Sequence, residues 1–269
     1  MEHSAIFEKR MRELAARAWQ RDLVLFSDFM DLNELNILRM ISGREYGVRI
    51  LTSGGCENAE RQMAAFVPEA LFSCQDGVTA GTGAGQREET HQELHFPVSC
   101  LHIRPQTPKF AEKLSHRDYL GAILGTGIER CKTGDIIMDD GSAWLFCCDT
   151  VAGYIAEELT SVRNTAVTVS RESSLPPDVR RAEKEITGTV SSLRPDLVAA
   201  LAFGKSRSAV SGMIAEGSMM INGKCVTSCG YHLKNGDIIS MRGLGKMRFN
   251  SALGETKKGK ISVSVSRYL

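Results

Sequence analysis

The 269-residue sequence contains no apolar run near the ~18 residues a membrane-spanning helix requires, so no such helix is expected. Its first twenty residues, MEHSAIFEKRMRELAARAWQ, are charged and amphipathic and lack the apolar stretch of a secretory leader. The chain has 8 cysteines but no CxxC pair. Cys225 and Cys229 stand four apart near His232, yet no second ligand pair follows, so reduced thiols in a cytoplasmic protein are expected rather than a metal site. The Gly-rich GTGAG that starts at Gly81 does not lie between a buried strand and a helix, so it is not read as a phosphate loop. Aromatic residues make up only 6% of the chain, and no run has the aromatic-rich pattern that stacks bases on an RNA-binding sheet.

Catalytic patterns are missing as well. His116-Arg117-Asp118 has the order of a kinase catalytic loop, but position 123 is Ile rather than Asn and no Asp-Phe-Gly follows. The triplet is better read as capping a helix or as a surface for RNA or a partner. Glu57, Glu60 and Arg61 are most simply local, turn-stabilising charges. The expectation is a protein with no catalytic residues, no metal and no cofactor.

The near-neutral total, +1, conceals a division of charge. From Ile186 to Leu269 there are 12 Lys and Arg against 4 Asp and Glu, a net of +8, which leaves 21 against 28 in the preceding part, a net of −7. A basic module joined to an acidic one points to a polyanion as partner of the C-terminal part, most commonly nucleic acid.

The length allows about two domains, and the hydrophobic pattern predicts an α+β chain. Residues 3–20 and 31–41 read as helices, the second capped by Asp31 with Glu34 at the capping-box position. Val48–Thr52 and Ala64–Val67 read as strands, and Gln75–Thr90 as an exposed loop. Strand signals at Leu94–Ile103, Asp135–Met138, Ala143–Cys147 and Ala166–Ser170, with helix signals at Ser115–Ile128 and Asp149–Leu159, give the order βαββαβ of a ferredoxin-like, RRM-like domain. Residues 171–185 contain Pro176-Pro177 among mixed charges and read as a linker. Beyond them, Arg194–Phe203 reads as a helix stopped by Gly204, and Arg207–Ala215 as a helix capped by Ser206. Met219–Ile221, the Asn222-Gly223 turn and Ile238–Met241 follow as a small β unit. Lys205, Arg207 and the amides opening the second helix would converge on one phosphate.

Phe203-Gly204-Lys205-Ser206-Arg207-Ser208, Ile214-Ala215-Glu216-Gly217, Ile221-Asn222-Gly223-Lys224 and Leu233-Lys234-Asn235-Gly236-Asp237 together resemble an S4 domain, the RNA-binding module of ribosomal protein S4 and of several RNA-modifying enzymes. The usual Arg-Leu-Asp opening stands here as Arg194-Pro195-Asp196, and proline is tolerated in the first turn of a helix. Over nearly its full length the chain resembles the YlmH-type S4-domain proteins of Gram-positive bacteria. That resemblance rests on Gly54–Arg61 (GGCENAER), on His116–Ile128, on Lys132-Thr133-Gly134-Asp135-Ile136 and on Gly254–Lys260 with Arg267-Tyr268. It implies a helical N-terminal segment (1–75), an RRM-like middle domain (76–170) and a C-terminal S4 domain (186–269). It also implies that the partner is RNA rather than DNA, with binding to rRNA, and to tRNA, on the large ribosomal subunit, in quality control of stalled translation. An RNA-modifying enzyme and a cell-division adaptor are the alternatives, although only about 27 residues follow Arg242, too few for a catalytic domain. The candidate RNA-contacting residues are Arg194, Lys205, Ser206, Arg207, Ser208, Asn222, Lys224, Lys234, Arg242, Lys246, Arg248, Lys257, Lys258 and Lys260, with His116, Arg117, Arg130 and Lys132 as a second surface.

Overall fold

A computed structural model describes residues 2–57, 59–73, 94–176, 179, 183–256 and 259–268. The expected loop at Gln75–Thr90 lies outside these residues, as do Lys257 and Lys258. The chain is α+β and divides into two compact units, Met1–Val179 and Arg180–Leu269. Among the described residues no helix is long and apolar enough to cross a membrane.

The first unit opens with α1 (Glu2–Arg21), which buries Met11, Ala15 and Ala18, spaced for a single helical face. After β1 (Leu25–Phe26) comes α2 (Leu32–Met40), with the expected capping box. The Glu34 N–H donates to Asp31 Oδ1 at 2.9 Å, and the Asp31 N–H donates to Glu34 Oε2 at 2.8 Å. β2 (Val48–Ser53), β3 (Met63–Pro68) and α3 (Glu69–Ser73) follow, and the three strands pair in the order β1-β3-β2.

A second sheet is built from β4 (Val98–Pro105), α4 (His116–Gly125), β5 (Thr133–Asp139), β6 (Ser142–Cys148), α5 (Asp149–Glu158), β7 (Ser161–Val162) and β8 (Thr165–Glu172). Its order is β5-β6-β4-β8-β7. One face packs Leu101, Ile103, Leu145 and Val167 against Tyr119, Ile123, Ala152 and Ile155 of the two helices. The other face carries Cys100, Ile137, Trp144, Phe146 and Cys148, and it is covered by Phe29, Met63 and Val179. Trp144 is 5% exposed and Phe146 1%, so this face has no open aromatic platform at those two rings.

Residues 54–57, 59–61 and 132–136 form the joint between the two sheets of this unit. A side chain on Gly55 would meet Phe146 at 2.6 Å, and one on Gly134 would meet the Phe29 ring at 2.7 Å. Asp135, 6% exposed, accepts the Glu60 N–H at 2.6 Å and the Arg61 N–H at 3.3 Å. The Arg61 guanidinium donates to the carbonyls of Thr133 (2.9 Å), Phe29 (3.1 Å) and Arg130 (3.2 Å). Arg61 thus pins distant segments together, where its sequence neighbourhood pointed to a local charge.

The second unit contains β9 (Glu183–Val190), α6 (Pro195–Phe203), α7 (Arg207–Ala215), β10 (Met219–Ile221), β11 (Lys224–Val226), β12 (Ile238–Met241), β13 (Gly245–Glu255) and β14 (Ile261–Tyr268). The sheet order is β11-β10-β12-β13-β14-β9. Gly204 ends α6 at φ +62°, the left-handed geometry that favours glycine. The β8 strand runs to Glu172 and β9 starts at Glu183, so the stretch between them is shorter than the 171–185 linker read from composition. β9 and the β13–β14 hairpin were not anticipated from the sequence, and they make up half of this sheet. Val198, Phe203, Val210 and Ile214 of the helices pack on Met219, Ile239, Met247, Phe249, Val263 and Val265 of the strands.

Candidate nucleic-acid interface

α6 ends just before the exposed run Gly204–Ser208, and α7 begins within it at Arg207. The Ser206 hydroxyl caps α7 by accepting the Ala209 N–H at 3.2 Å. Ser206 and Ser208 hydroxyls lie 3.1 Å apart. Lys205, Ser206, Arg207 and Ser208 therefore surround the positive end of α7, a geometry suited to an anionic oxygen.

Behind this run Asp196, with no exposed surface, holds two of the candidate cations. Arg207 Nε donates to Oδ2 at 2.7 Å, and Arg194 Nε donates to Oδ1 at 3.0 Å. Hydrogen bonding to Asp196 raises the pKa of Arg194 further above its ordinary value. The side chains of Arg194 and Arg207 remain 38% and 54% exposed, which leaves room to present N–H groups outward while anchored inward.

Arg207 therefore carries a structural role beside any contact with an anion. Its removal leaves the buried Asp196 carboxylate with Arg194 alone, so Arg207→Ala is expected to cost about 1–2 kcal/mol of stability, limited by the exposure of the arginine. Chemical denaturation of the variant measures this, and an unchanged midpoint would contradict the anchoring role.

The other candidates divide into two groups. Lys224, Lys234, Arg242 and Lys260 are exposed, as is Lys205, and among the described residues their side chains make no hydrogen bond or ion pair. Lys246 is also exposed, on β13. Asn222 and Arg248, by contrast, have internal roles. The Asn222 amide donates to Asp237 Oδ1 at 2.8 Å and accepts the Ile238 N–H at 2.9 Å. Its backbone, at φ +49°, shapes the β10–β11 turn. Arg248 donates to Glu183 at 3.1 Å, and both side chains are mostly buried.

The second proposed surface also separates. Arg130 donates to the carbonyls of Thr133 (3.0 Å) and Gly134 (3.2 Å), and burial together with nearby Arg61 lowers its pKa to about 10. Lys132 pairs with Asp28 at 2.6 Å. Both residues therefore serve the joint between the sheets. His116 and Arg117 are exposed at the start of α4. The neighbouring Asp118 accepts from the Ser115 N–H (2.8 Å) and hydroxyl (2.7 Å), which hold its carboxyl below the usual range. Its place is that of a capping residue.

Cys100, Cys147 and Cys148 are buried, and desolvation raises their thiols to about 12, 12 and 11. Near-neutral pH leaves them protonated and poor nucleophiles.

Sequence reasoning missed Asp196 as the anchor of the arginines. The signal was present in Arg194-Pro195-Asp196, an acidic residue in the first turn of an otherwise apolar helix.

Comparison with known proteins gives three findings. Residues 92–175 match a family model described as "Putative RNA-binding domain in YlmH". A structure titled "Cell division protein ylmH from Streptococcus pneumoniae" covers 64% of this chain and 92% of its own, with a TM-score of 0.47 and 18% identity. The "Ribosome-associated protein quality control protein P2" of Bacillus subtilis (strain 168) is 30% identical over 242 residues, 90% of this chain and 86% of that protein. With that identity carried across most of both sequences, and with a YlmH family model matched within it, this chain belongs to the YlmH family.

Proposed function

We propose that this protein is a non-enzymatic RNA-binding factor whose C-terminal unit, an S4 domain, grips structured rRNA on the large ribosomal subunit, with tRNA as a second RNA partner. The observation that carries the reading is how charge is distributed over that unit. Of the 4 acidic residues after Ile186, Asp196 and Asp237 are buried and hydrogen-bonded internally. Lys205, Lys224, Lys234, Arg242 and Lys260 stay exposed and uncommitted among the described residues. The surface is thus more basic than composition alone implies, as a phosphate-binding surface requires.

The printed name of the Bacillus subtilis relative supports a place for this chain in ribosome-associated quality control, in the cytoplasm. The βαββα order of residues 98–158, completed by β8 beside β4 after the short β7, supports an RRM-like middle domain, with Phe29 and Met63 of the N-terminal segment packed on its second face. The protonated thiols and the capping role of Asp118 support a binding role over catalysis.

The test is filter binding of the full chain to a structured rRNA fragment. Lys205→Ala/Arg242→Ala is expected to weaken binding about tenfold or more and to reduce the salt slope by about two. Unchanged affinity and slope would refute the placement of the interface.

A further inference from the structure

The turn between β4 and α4 carries Phe110 with 86% of its surface exposed, against 57% for Trp19 and 47% for Tyr154. Such exposure of a phenylalanine has no benefit for folding. The ring rides on the short 3-10 turn Pro108–Phe110, closed by the Phe110 N–H donating to the Thr107 carbonyl at 3.1 Å. The turn is tied down from behind. The Gln106 N–H donates to the Ala166 carbonyl at 2.9 Å, the Glu112 N–H to Thr165 Oγ1 at 3.2 Å, and Asn164 Nδ2 to the Glu112 carboxylate at 2.9 Å. The backbone holds the ring outward.

Charge along the stretch that carries the ring is one-sided. Lys109, Lys113 and Arg117 are exposed and, among the described residues, form no ion pair or hydrogen bond through their side chains. The acidic residues of the same stretch are already engaged. Glu112 lies 4.0 Å and Asp118 3.5 Å from the Arg163 guanidinium, and Asp118 also caps α4. A single aromatic ring among lysines is no contiguous apolar patch of the kind that docks a protein. It has the composition of a nucleotide contact, with a π-face for a base and flanking cations for phosphates. The covered face of the middle sheet leaves this turn as the exposed aromatic beside those cations.

We propose that the Phe110 turn is a second RNA contact, in which the ring stacks on an unpaired base while Lys109, Lys113 and Arg117 meet the adjacent phosphates. This rests on the reading that the partner is RNA and deepens it by naming a contact within residues 92–175, the stretch that matches the putative RNA-binding domain model.

The experiment uses the full chain with two probes, a 12-nucleotide single-stranded oligo(A) carrying one 2-aminopurine and a fully paired RNA hairpin. Phe110→Ala and Phe110→Leu are expected to lower affinity for the single strand about fivefold or more, whereas Phe110→Tyr keeps it. The 2-aminopurine should be quenched by wild type and by Phe110→Tyr but not by Phe110→Leu. Hairpin binding should not change in any of these variants. Lys109→Ala/Lys113→Ala should reduce the single-strand salt slope by about 1.4. A leucine variant that binds and quenches like wild type would overturn stacking, as would equal losses on the hairpin. Oligonucleotide binding that ignores Phe110→Ala would overturn the proposal. In that case, weakening by Lys205→Ala/Arg242→Ala would leave the general RNA reading standing, and silence there too would remove both.

Discussion

Replacing Arg61 by alanine is expected to lower the stability of the first unit by about 2–4 kcal/mol, among the larger effects a single substitution produces. The side chain donates to three backbone carbonyls from two separate stretches, Phe29 on one side and Arg130 and Thr133 on the other. Phe29 and Thr133 are buried, so their carbonyl oxygens have little access to replacement water. Arg130 still donates to the Thr133 carbonyl, which keeps the loss below a sum of three orphaned acceptors. Lysine should recover only part, since one ammonium cannot replace a planar fork with three directed bonds. A thermal melt should show a midpoint lower by on the order of 10 °C for alanine. Arg10→Ala is the control. Its pair with Asp28 at 3.2 Å is made by a side chain 60% exposed, and its removal should shift stability by less than about 1 kcal/mol. Equal melting of the two variants would contradict the structural role of Arg61.

RNA affinity of the full chain is expected to fall by roughly two to three decades between 50 and 200 mM salt, if about four to six phosphates are neutralised. The number of contacts follows from the structure rather than from the total charge. Lys205, Lys224, Lys234, Arg242 and Lys260 are exposed and uncommitted among the described residues, and Arg207 keeps part of its guanidinium outward. Arg248 drops out because Glu183 already pairs with it. Filter binding across a salt series gives the slope directly, and a flat response would refute a phosphate-binding surface.

The parts of the fold legible in the sequence are those set by local chemistry. The Asp31/Glu34 box, the Gly204 stop, the Ser206 cap and the Asn222-Gly223 turn each act within a few residues, and each stands where its residues indicate. The β13–β14 hairpin was harder to see. β13 (GKMRFNSALGE) is poor in β-branched residues and its pairing slips at Phe249/Ser251 and again at Ala252/Gly254, which breaks the period-two signal. β14 (ISVSVSRY) alternates valine with serine, a signal that was present and not used.

The candidate site was legible as a set of cations but not as a division of labour among them. Whether a cation faces solvent or another residue depends on partners far away in sequence. Arg248 meets Glu183 across the sheet, Lys132 meets Asp28, and Arg207 meets Asp196. The same limit hid Arg61, whose bond to Phe29 spans 32 positions. Phe110 is the converse case, since exposure of an aromatic is a property of the folded chain that no local pattern encodes.

The most direct test of the account is co-sedimentation of the full chain with purified small and large ribosomal subunits through a sucrose gradient, comparing wild type with Lys205→Ala/Lys234→Ala/Arg242→Ala. The account predicts that wild type travels with large subunits and that the triple variant, folded normally by its melting curve, stays at the top of the gradient. A variant that still travels with large subunits, or a wild type that binds neither particle, would contradict it.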